Sequence, residues 1–273
     1  MISADSRQVY RGLDIGTAKA TTDERRRVVH HGLDLVDPDE PFSVAEFRAH
    51  AHVALESLAA RGGIGILAGG TGLWLRAVAD GIDTDALPSD AGVRASIEAD
   101  LTRDGLPAAA ARLTVLAPKS AARIDLRNPR RVARALEIAT LAGDVDLPAP
   151  QGYPAPVLRL LLDVNPEAHA ERIAARARAQ FDAGLVDEAR ALRERWNPAL
   201  PCFSAIGYRE AWAVLDGELN REQAIELDAR RNLQFAKRQR TWFRREPGER
   251  IDATDDPWPA AEDAIMSLLR ERT

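Results

Sequence analysis

Apolar residues recur along the first third of the chain with two different periods, which together predict a mixed α/β fold. Met1 and Ile2 have the character of a strand end and are followed at once by polar residues. Residues 43–61 carry apolar side chains at helical spacing behind a capping box, so a helix is predicted there. Residues 64–68 are continuously apolar, which is typical of a buried parallel strand. A glycine turn at 69–72 leads into a second predicted helix, and this order indicates an α/β unit.

The middle of the chain changes to helical periodicity alone. No segment between residues 88 and 142 has strand character, and three alanine-rich helices are predicted, at 90–100, 107–116 and 129–141. A stretch rich in proline and glycine closes this region. Beyond it we predict a strand at 157–164 and helices at 167–196 (interrupted at Gly184), 209–215 and 222–245. The predicted domains are an α/β core of residues 1–86 and 153–273 and a helical insertion of residues 87–152.

Composition narrows the class of protein. The chain has 273 residues, 45% of them hydrophobic. No apolar run approaches the length of about 18 residues that a membrane-spanning helix needs. Cys202 is the only cysteine, which excludes an internal disulfide and a zinc site built on cysteine pairs. The first residues lack the basic and apolar regions of a secretory signal. We therefore expect a cytoplasmic protein with no membrane partner.

The distribution of positive charge is more informative than its total, because the net charge of −5 does not indicate a nucleic-acid partner. In residues 237–245 five cations are interleaved with Trp242, Phe243 and a glutamine. This mixture suits contacts to backbone phosphates together with stacking on unpaired bases, as in the recognition of single-stranded RNA. The alternative is an amphipathic helix end that buries Trp242 and Phe243 in the core. We favour an RNA partner.

Two further groups of arginines could bind phosphate. Arg172 and Arg176 are four residues apart and project from one helix face, which suits a diphosphate, although the residues alone favour a solvated surface. Residues 127–134 concentrate positive charge at a helix start, where Asn128 and Pro129 suit the N-cap and the first helical position. Cations at that end oppose the helix dipole, and a bound phosphate would relieve the conflict.

Two positions in the core could carry chemistry. Asp5 follows the first strand, where open α/β sheets place their ligand groups, and it could act as a general base or bind a metal. The alternative to a functional role is that Asp5 forms an N-cap or an Asx turn. The glycines at 69–72 could present backbone amides to an anion or a base, or could form only a tight turn. His30 and His31 lack partners at metal-ligand spacing and are interpreted as structural.

Several segments together resemble one family, the tRNA dimethylallyltransferases. The resemblance is carried, in the family's order, by residues 3–19 (SADSRQVYRGLDIGTAK), 30–34 (HHGLD), 42–47 (FSVAEF), 69–74 (GGTGLW), 131–137 (RVARALE), 206–210 (IGYRE) and 236–244 (AKRQRTWFR). These segments extend over almost the whole chain, and such a series of motifs is highly specific.

The resemblance implies transfer of a dimethylallyl group from its diphosphate to N6 of adenosine 37 in tRNA. It implies a P-loop NTPase-like parallel sheet with a helical insertion, Asp5 as the base or acceptor at N6, and Thr71 as its assistant. Arg172 and Arg176 fall on a helix that the family associates with the prenyl diphosphate. The positions that match the family's tRNA contacts are Asp5, Ser6, Arg7, Gln8, Thr71, Arg94, Arg130, Arg131, Val132, Ala133, Arg134, Ser204, Ala205, Ile206, Gly207, Tyr208, Arg209, Lys237, Arg238, Gln239, Arg240, Thr241, Trp242, Phe243 and Arg244.

The chain also departs from the family's pattern. The family opens with a P-loop, G-x-x-x-x-G-K-[ST], before its aspartate, and this chain contains no Gly-Lys-Ser or Gly-Lys-Thr. We therefore expect a truncated fold without the first strand and the P-loop, and weak or absent catalysis. Mg²⁺ is the cofactor that the resemblance implies, but its P-loop ligand is missing and no residue is assigned to it. Asn232 and Leu233 stand where the family usually has Thr-Arg, which removes one cation.

Two other functions stay open. One is a non-catalytic protein that binds the tRNA anticodon arm. The other is a transferase that acts on free adenine nucleotides, as related cytokinin-forming enzymes do, although the helical insertion and residues 237–245 argue against it. The partners that we expect are the tRNA anticodon arm and dimethylallyl diphosphate, and we expect the protein to be a monomer.

Overall fold

The computed structural model describes residues 1–83 and 85–270. Two compact units are present: unit 1 contains Met1–Asp80 and the chain from Tyr153 onward, and unit 2 contains Gly81–Gly152. The strands are β1 (Ile2–Ser3), β2 (Leu67–Ala68), β3 (Leu160–Asp163) and β4 (Glu249–Asp252). The helices are α1 (Thr22–Arg27), α2 (Val44–Ala59), α3 (Gly72–Ala79), α4 (Ala91–Leu116), α5 (Pro118–Arg123), α6 (Pro129–Ala142), α7 (Pro166–Asp182), α8 (Leu185–Arg195), α9 (Tyr208–Leu215), α10 (Arg221–Phe243) and α11 (Trp258–Arg270).

The described strands form two parallel pairs, β1 with β2 and β3 with β4, within a mostly helical structure. The α/β class is thus confirmed, whereas a single P-loop-type sheet stays a prediction. The strand predicted at 64–68 is wrong in extent and in burial. Only Leu67–Ala68 is strand, and Ile64 and Ile66 are 54% and 56% exposed, because no described element covers them.

Local sequence signals fix the ends of the long helices in unit 1. The predicted capping box of α2 is present, since the Ser43 side chain accepts a hydrogen bond from the Glu46 amide and Glu46 binds the Ser43 amide in return. The predicted interruption at Gly184 separates α7 from α8, because Gly184 adopts a left-handed backbone with φ 102°. Asn220 begins α10 with a second capping box.

The core of unit 1 lies behind the carboxyl end of β1. Its fully buried side chains include Leu13, Phe47, Phe203 and Tyr208, and the rings of Phe47 and Trp74 stack with centroids 4.2 Å apart. This core holds β1, the glycine turn before α3, and the start of α9 in fixed positions.

Unit 2 is helical. Residues 91–116 form α4, which contains a kink at Gly105 (φ 81°) just before Pro107, so the two helices predicted there are two segments of one element. The side chains of Ile97, Leu113 and Leu136 are buried between α4 and α6. In the part of the chain that the structure describes, no helix is both long and apolar enough to cross a membrane.

Candidate functional site

The carboxyl ends of β1 and β2 bring Asp5 and Thr71 close together. The Thr71 amide donates to the Ala4 carbonyl at 3.2 Å, and the Thr71 hydroxyl oxygen accepts a hydrogen bond from the Ser6 amide at 3.1 Å. Gly69 makes this approach possible, because a Cβ there would lie 2.3 Å from the Ala4 carbonyl oxygen. Thr71 is therefore held directly beside the loop that carries Asp5.

Asp5 is fixed by an Asx turn. Its Oδ1 accepts a hydrogen bond from the Arg7 amide at 2.8 Å, which is the local arrangement that the sequence left open as an alternative. Its second oxygen, Oδ2, accepts no hydrogen bond from the residues that the structure describes. The side chain is half-buried. The turn therefore orients the carboxylate and leaves one oxygen available to a ligand.

The two residues after Ser6 are anchored in different directions. The Arg7 guanidinium donates to the Pro201 carbonyl at 3.0 Å and to Ser204 Oγ at 2.7 Å, so two predicted RNA contacts, Arg7 and Ser204, lie together. Gln8 Nε2 donates to the Thr17 carbonyl at 2.9 Å, and its Oε1 accepts a hydrogen bond from the Ser3 hydroxyl at 2.7 Å. The Gln8 amide is therefore engaged within the protein.

One face of α10 packs on the glycine turn. Gln239 Nε2 donates to the Gly70 carbonyl at 3.2 Å. A Cβ on Gly72 would lie 2.1 Å from Trp242 Nε1, so only glycine admits the indole ring there. Trp242 Nε1 is buried and has no hydrogen-bond partner in the described structure. The Trp242 ring packs against the turn and is half-buried, and its stacking on RNA bases stays a prediction.

The opposite face of α10 carries unpaired positive charge. None of its cations makes an ion pair with a described residue, and all are exposed: Lys237, Arg238, Arg240, Arg244 and Arg245. Thr241 is also exposed, and Phe243 is half-buried. Exposed cations without carboxylate partners are available to phosphates.

The predicted diphosphate ligands, Arg172 and Arg176, share the α7 face that packs on α10. Burial and the nearby charges of Arg240, Arg176 and Arg172 hold the pKa of His169 below its ordinary value. The Arg172 guanidinium donates to the Ala253 carbonyl at 2.8 Å, and Arg176 donates to Asn232 Oδ1 at 3.3 Å. The role of this pair in diphosphate binding stays a prediction.

Several of the positions predicted to contact RNA have buried side chains, and their role in RNA binding stays a prediction. Val132 and Tyr208 are 0% exposed and Ala205 is 8% exposed, because all three belong to hydrophobic cores. The Gly207 amide is also buried and donates to Glu210 Oε2 at 3.0 Å. The neighbouring Ser204 and Arg209 are exposed, and Ile206 is half-buried.

In unit 2 the predicted RNA-binding arginines separate into two groups. Arg94 and Arg134 bind the carboxylate of Glu137, with nitrogen–oxygen distances of 3.0 and 2.7 Å, and Glu137 is fully buried. The Arg94 guanidinium therefore joins α4 to α6, and the Arg134 guanidinium joins α6 to the carbonyls of Leu87 and Pro88. Arg130 and Arg131 are exposed and make no ion pair with a described residue, so these two are available to phosphates. Ala133, between them and Arg134, is half-buried.

Three carboxylates escaped sequence reasoning: Glu137, Glu188 and Asp228. Glu188 binds the backbone amides of a loop in unit 1 and the Tyr208 hydroxyl. Asp228 is 1% exposed, and its Oδ2 has no hydrogen-bond partner among the described residues. Each of the three lies on a helix, and the sequence alone does not show which carboxylates of a helix are paired in the interior.

A cavity of about 710 Å³ adjoins the end of β1 on the side away from α10. Its lining includes Ser3, Asp5, Gln8, Arg27, His30 and Gly69. Among the described residues, no group of three or more His, Cys, Asp or Glu side chains could hold a metal ion. This donor set does not fit a protein-made Mg²⁺ site, and Mg²⁺ stays a prediction.

Comparison with known proteins identifies the family of this chain. A model of the family described as IPP transferase matches residues 8–246. A tRNA dimethylallyltransferase of Anaeromyxobacter dehalogenans is 47% identical over 257 residues, which cover 91% of this chain and 84% of the relative. The tRNA dimethylallyltransferase of Thermus thermophilus is 42% identical over 250 residues, with 91% of this chain and 82% of the relative covered.

Solved structures show the same likeness. The tRNA isopentenylpyrophosphate transferase of Bacillus halodurans has a TM-score of 0.69 and 36% identity, over 99% of this chain and 86% of the other. A eukaryotic dimethylallyltransferase acting on tRNA has a TM-score of 0.77 at 24% identity, over 99% of this chain and 73% of the other, which shows a common fold. From the family match and these identities, the chain belongs to the IPP transferase family, the prenyltransferases whose curated members are named tRNA dimethylallyltransferases.

Proposed function

We propose that this protein transfers a dimethylallyl group from dimethylallyl diphosphate to N6 of adenosine 37 in the anticodon arm of tRNA. The observation that carries the proposal is the placement of Asp5 beside Thr71, next to a helix with exposed cations. Family membership supports prenyl transfer to tRNA, and the identity of the acceptor atom rests on the chemistry of this site.

Asp5 is the group that can accept a proton from the acceptor amine. In the proposed step the N6 nitrogen forms a bond to C1 of the dimethylallyl group, and the bond from C1 to the diphosphate oxygen breaks with its electron pair. The proton that N6 loses passes to Asp5 Oδ2, the oxygen left available by the Asx turn. The Thr71 hydroxyl lies beside the same loop and can orient the amine.

The exposed cations supply the RNA surface. Positively charged side chains on α10 can bind phosphates of the anticodon loop. Ser204 lies exposed beside Arg7, and Arg209 is also exposed. Arg130 and Arg131 offer a second basic surface within unit 2. An adenine must leave the base stack before its N6 reaches a carboxylate at the end of a strand, and such unstacking costs a few kcal/mol.

Donor binding is the weaker part of the proposed reaction. The 273 residues contain no Gly-Lys-Ser or Gly-Lys-Thr, so the usual phosphate-binding amides, lysine and hydroxyl are not offered. Arg172, Arg176 and Arg240 are the cations that remain for the diphosphate. No step of the proposal passes through Mg²⁺, and we expect these 273 residues to transfer the group slowly.

The test is transfer of labelled dimethylallyl from its diphosphate to an anticodon stem-loop with adenosine at position 37. Asp5→Asn retains an Oδ1 that can accept from the Arg7 amide but removes the base, so kcat should fall by about 100-fold or more. Asp263→Asn changes an exposed aspartate of α11, serves as the matched control and should leave the rate unchanged.

Other outcomes would contradict the proposal. Equal transfer to a stem-loop with guanosine at position 37, or full activity of the Asp5→Asn variant, would exclude the assigned acceptor or base. Salt-dependent binding of the stem-loop with no transfer at any donor concentration would instead favour the non-catalytic RNA-binding alternative. Faster transfer to adenosine monophosphate than to the stem-loop would favour the free-nucleotide alternative.

A further inference from the structure

The carboxylate of Glu188, on α8, lies at the centre of a polar cluster that the proposed reaction does not use. Its Oε2 accepts a hydrogen bond from the Ile15 amide at 2.8 Å, and its Oε1 accepts from the Gly16 amide at 3.2 Å and from the Tyr208 hydroxyl at 2.7 Å. A carboxylate that accepts from two amides and a phenol makes strong, charge-assisted hydrogen bonds. Glu188 therefore joins α8, the loop around Gly16 and the start of α9.

Tyr208 is held in this cluster by shape as well as by charge. It is 0% exposed, and a Cβ on Gly16 would lie 2.5 Å from its Cζ, so the ring packs directly on that glycine. Burial, followed by the negative charge of Glu188, raises the pKa of Tyr208 far above its ordinary range. The hydroxyl is therefore a permanent proton donor to Glu188.

The loop transmits this anchoring toward the candidate site. Gln180 Nε2, on α7, donates to the Ile15 carbonyl at 2.6 Å. Because Glu188, on α8, accepts from the Ile15 amide, side chains of two helices hold both backbone polar groups of Ile15. The next two carbonyls, of Thr17 and Ala18, accept the Gln8 amide at 2.9 and 3.2 Å. The loop fixed by Glu188 is thus the loop that fixes Gln8, three residues after Asp5.

Tyr208 also belongs to the segment of residues 204–209, and this segment contacts the Asp5 loop a second time. Ser204 Oγ accepts a hydrogen bond from Arg7 at 2.7 Å. Two connections therefore join the segment to residues 5–8, a direct one through Arg7 and an indirect one through Tyr208, Glu188 and Gln8. Two connections define an orientation, which a single one would not.

We infer that Glu188 is a positioning residue that couples the 204–209 segment to the Asp5 loop, so that a bound adenine is presented to Asp5. The inference rests on the proposed function, in which Asp5 acts on an unstacked adenine. Without the Glu188 carboxylate the exposed cations would still bind RNA, but residues 5–8 would lose the support that reaches them through Gln8 and would be held less firmly.

Two variants remove the coupling with little change of shape. Tyr208→Phe deletes only the hydroxyl and keeps the ring on Gly16, and Glu188→Gln replaces one carboxylate oxygen by a donor that faces amide donors. The matched control is Asp187→Asn, because Asp187 is the preceding residue of α8, with a side chain that is 76% exposed and forms an ion pair with Arg190.

The first measurement uses a stem-loop with adenosine at position 37 and the fluorescent base 2-aminopurine at position 38, which brightens when its neighbour leaves the stack. We expect both variants to bind the stem-loop within about twofold of the parent, since the phosphate contacts are untouched. The fluorescence increase should fall about tenfold, as expected when a charge-assisted hydrogen bond is lost. An unchanged increase, or a loss matched by Asp187→Asn, would overturn the inference.

The second measurement is independent of RNA and separates the inference from the proposed function. Amide hydrogen exchange should accelerate about tenfold in residues 13–18 and also in residues 5–8 of the Glu188→Gln variant, while α2 and α10 keep their protection. Acceleration confined to residues 13–18 would show that Glu188 is only a local anchor and would overturn the inference. If the parent protein binds no stem-loop, the proposed function fails while this measurement still decides the coupling.

Discussion

At the scale of single residues, two glycines of the turn at 69–72 differ in the side chain that fills the space where a Cβ would lie. A Cβ on Gly70 would meet Gln239 Nε2 at 1.9 Å, and a Cβ on Gly72 would meet Trp242 Nε1 at 2.1 Å. The Gln239 amide is the free end of a flexible side chain and can rotate away, whereas the indole ring is rigid. The same added methyl group therefore has different consequences at the two positions.

We predict that Gly72→Ala destabilises the protein by about 1–3 kcal/mol, because the indole or the α3 backbone must shift. Gly70→Ala should cost about 1 kcal/mol or less, mainly through the lost bond from Gln239 to the Gly70 carbonyl. Urea denaturation of both variants measures the difference. Equal losses of stability in the two variants, or a larger loss for Gly70→Ala, would show that the packing of Trp242 does not require a residue without Cβ at position 72.

Asp228 gives a second prediction at this scale. Burial, followed by the charge of Glu210, raises its pKa from 3.8 to about 6, against the opposing effects of Asn232, Arg176 and Arg231. Because the folded-state pKa is above the usual value, the native protein binds more protons than the unfolded chain between these two pH values. The free energy of unfolding therefore falls as the pH rises from about 4 to 6.

We predict that Asp228→Asn removes this fall and raises the free energy of unfolding at pH 7.5 by about 1–3 kcal/mol, while changing it little at pH 4. The asparagine oxygen can still accept a hydrogen bond from Asn232 Nδ2, so the local contact is retained. Urea denaturation between pH 4 and 8 is the measurement. Glu226→Gln, an exposed position on the same helix, is the control, and a parallel shift at every pH would contradict the prediction.

At the scale of elements, the sequence predicted helices better than strands, for a physical reason. The start of α2 follows from a capping box, and the break before α8 follows from Gly184, and both signals are local. The strands are only two to four residues long, and β4 is exposed at three of its four positions, so neither length nor apolar periodicity marks it. The pairing of these strands depends on tertiary contacts, which the sequence pattern does not show.

The candidate site also has features that could be predicted before the structure and features that could not. Only the resemblance to the family placed Asp5 and Thr71 at one centre. In the structure they lie close together because the carboxyl ends of the parallel strands β1 and β2 meet at one edge. The burial of Tyr208 and the pairing of Arg94 and Arg134 with Glu137 could not be predicted, because each depends on residues far away in the sequence. Burial alone would raise the pKa of Glu137, but Arg134 and the Asp90 amide hold it below its ordinary value.

This arrangement predicts different roles for two arginines of unit 2 that the resemblance treated alike. Arg94→Ala leaves the buried Glu137 carboxylate short of a partner and should destabilise unit 2 by about 3 kcal/mol, with faster hydrogen exchange in α4 and α6. Arg131→Ala should leave exchange unchanged and weaken stem-loop binding, since its side chain is exposed. The reverse assignment of effects would contradict the role given to Glu137.

At the scale of the whole molecule, a net charge of −5 coexists with a basic face on α10. The negative charges elsewhere are largely used within the protein, for example by the pairs that Arg178 and Arg221 make with Glu222 and Asp182. A chain with this balance attracts RNA only where its cations lack carboxylate partners. The affinity for RNA should therefore depend on where the unpaired cations lie, and not on the total charge of the protein.

The prediction that follows concerns the salt dependence of RNA binding. Each phosphate contact to single-stranded RNA contributes about 0.7 to the slope of log K against log salt, so losing Arg240 and Arg244 together should lower that slope by about 1.4. The variant Arg240→Gln, Arg244→Gln is compared with Arg195→Gln, Arg230→Gln, which removes the same charge from exposed positions outside residues 237–245. Fluorescence anisotropy of a labelled stem-loop, measured from about 50 to about 300 mM KCl, gives both slopes. If the two variants lower the slope equally, RNA responds to the total charge, and the α10 face is not its binding surface. If only the first does so, the unpaired cations of α10 hold the RNA beside Asp5.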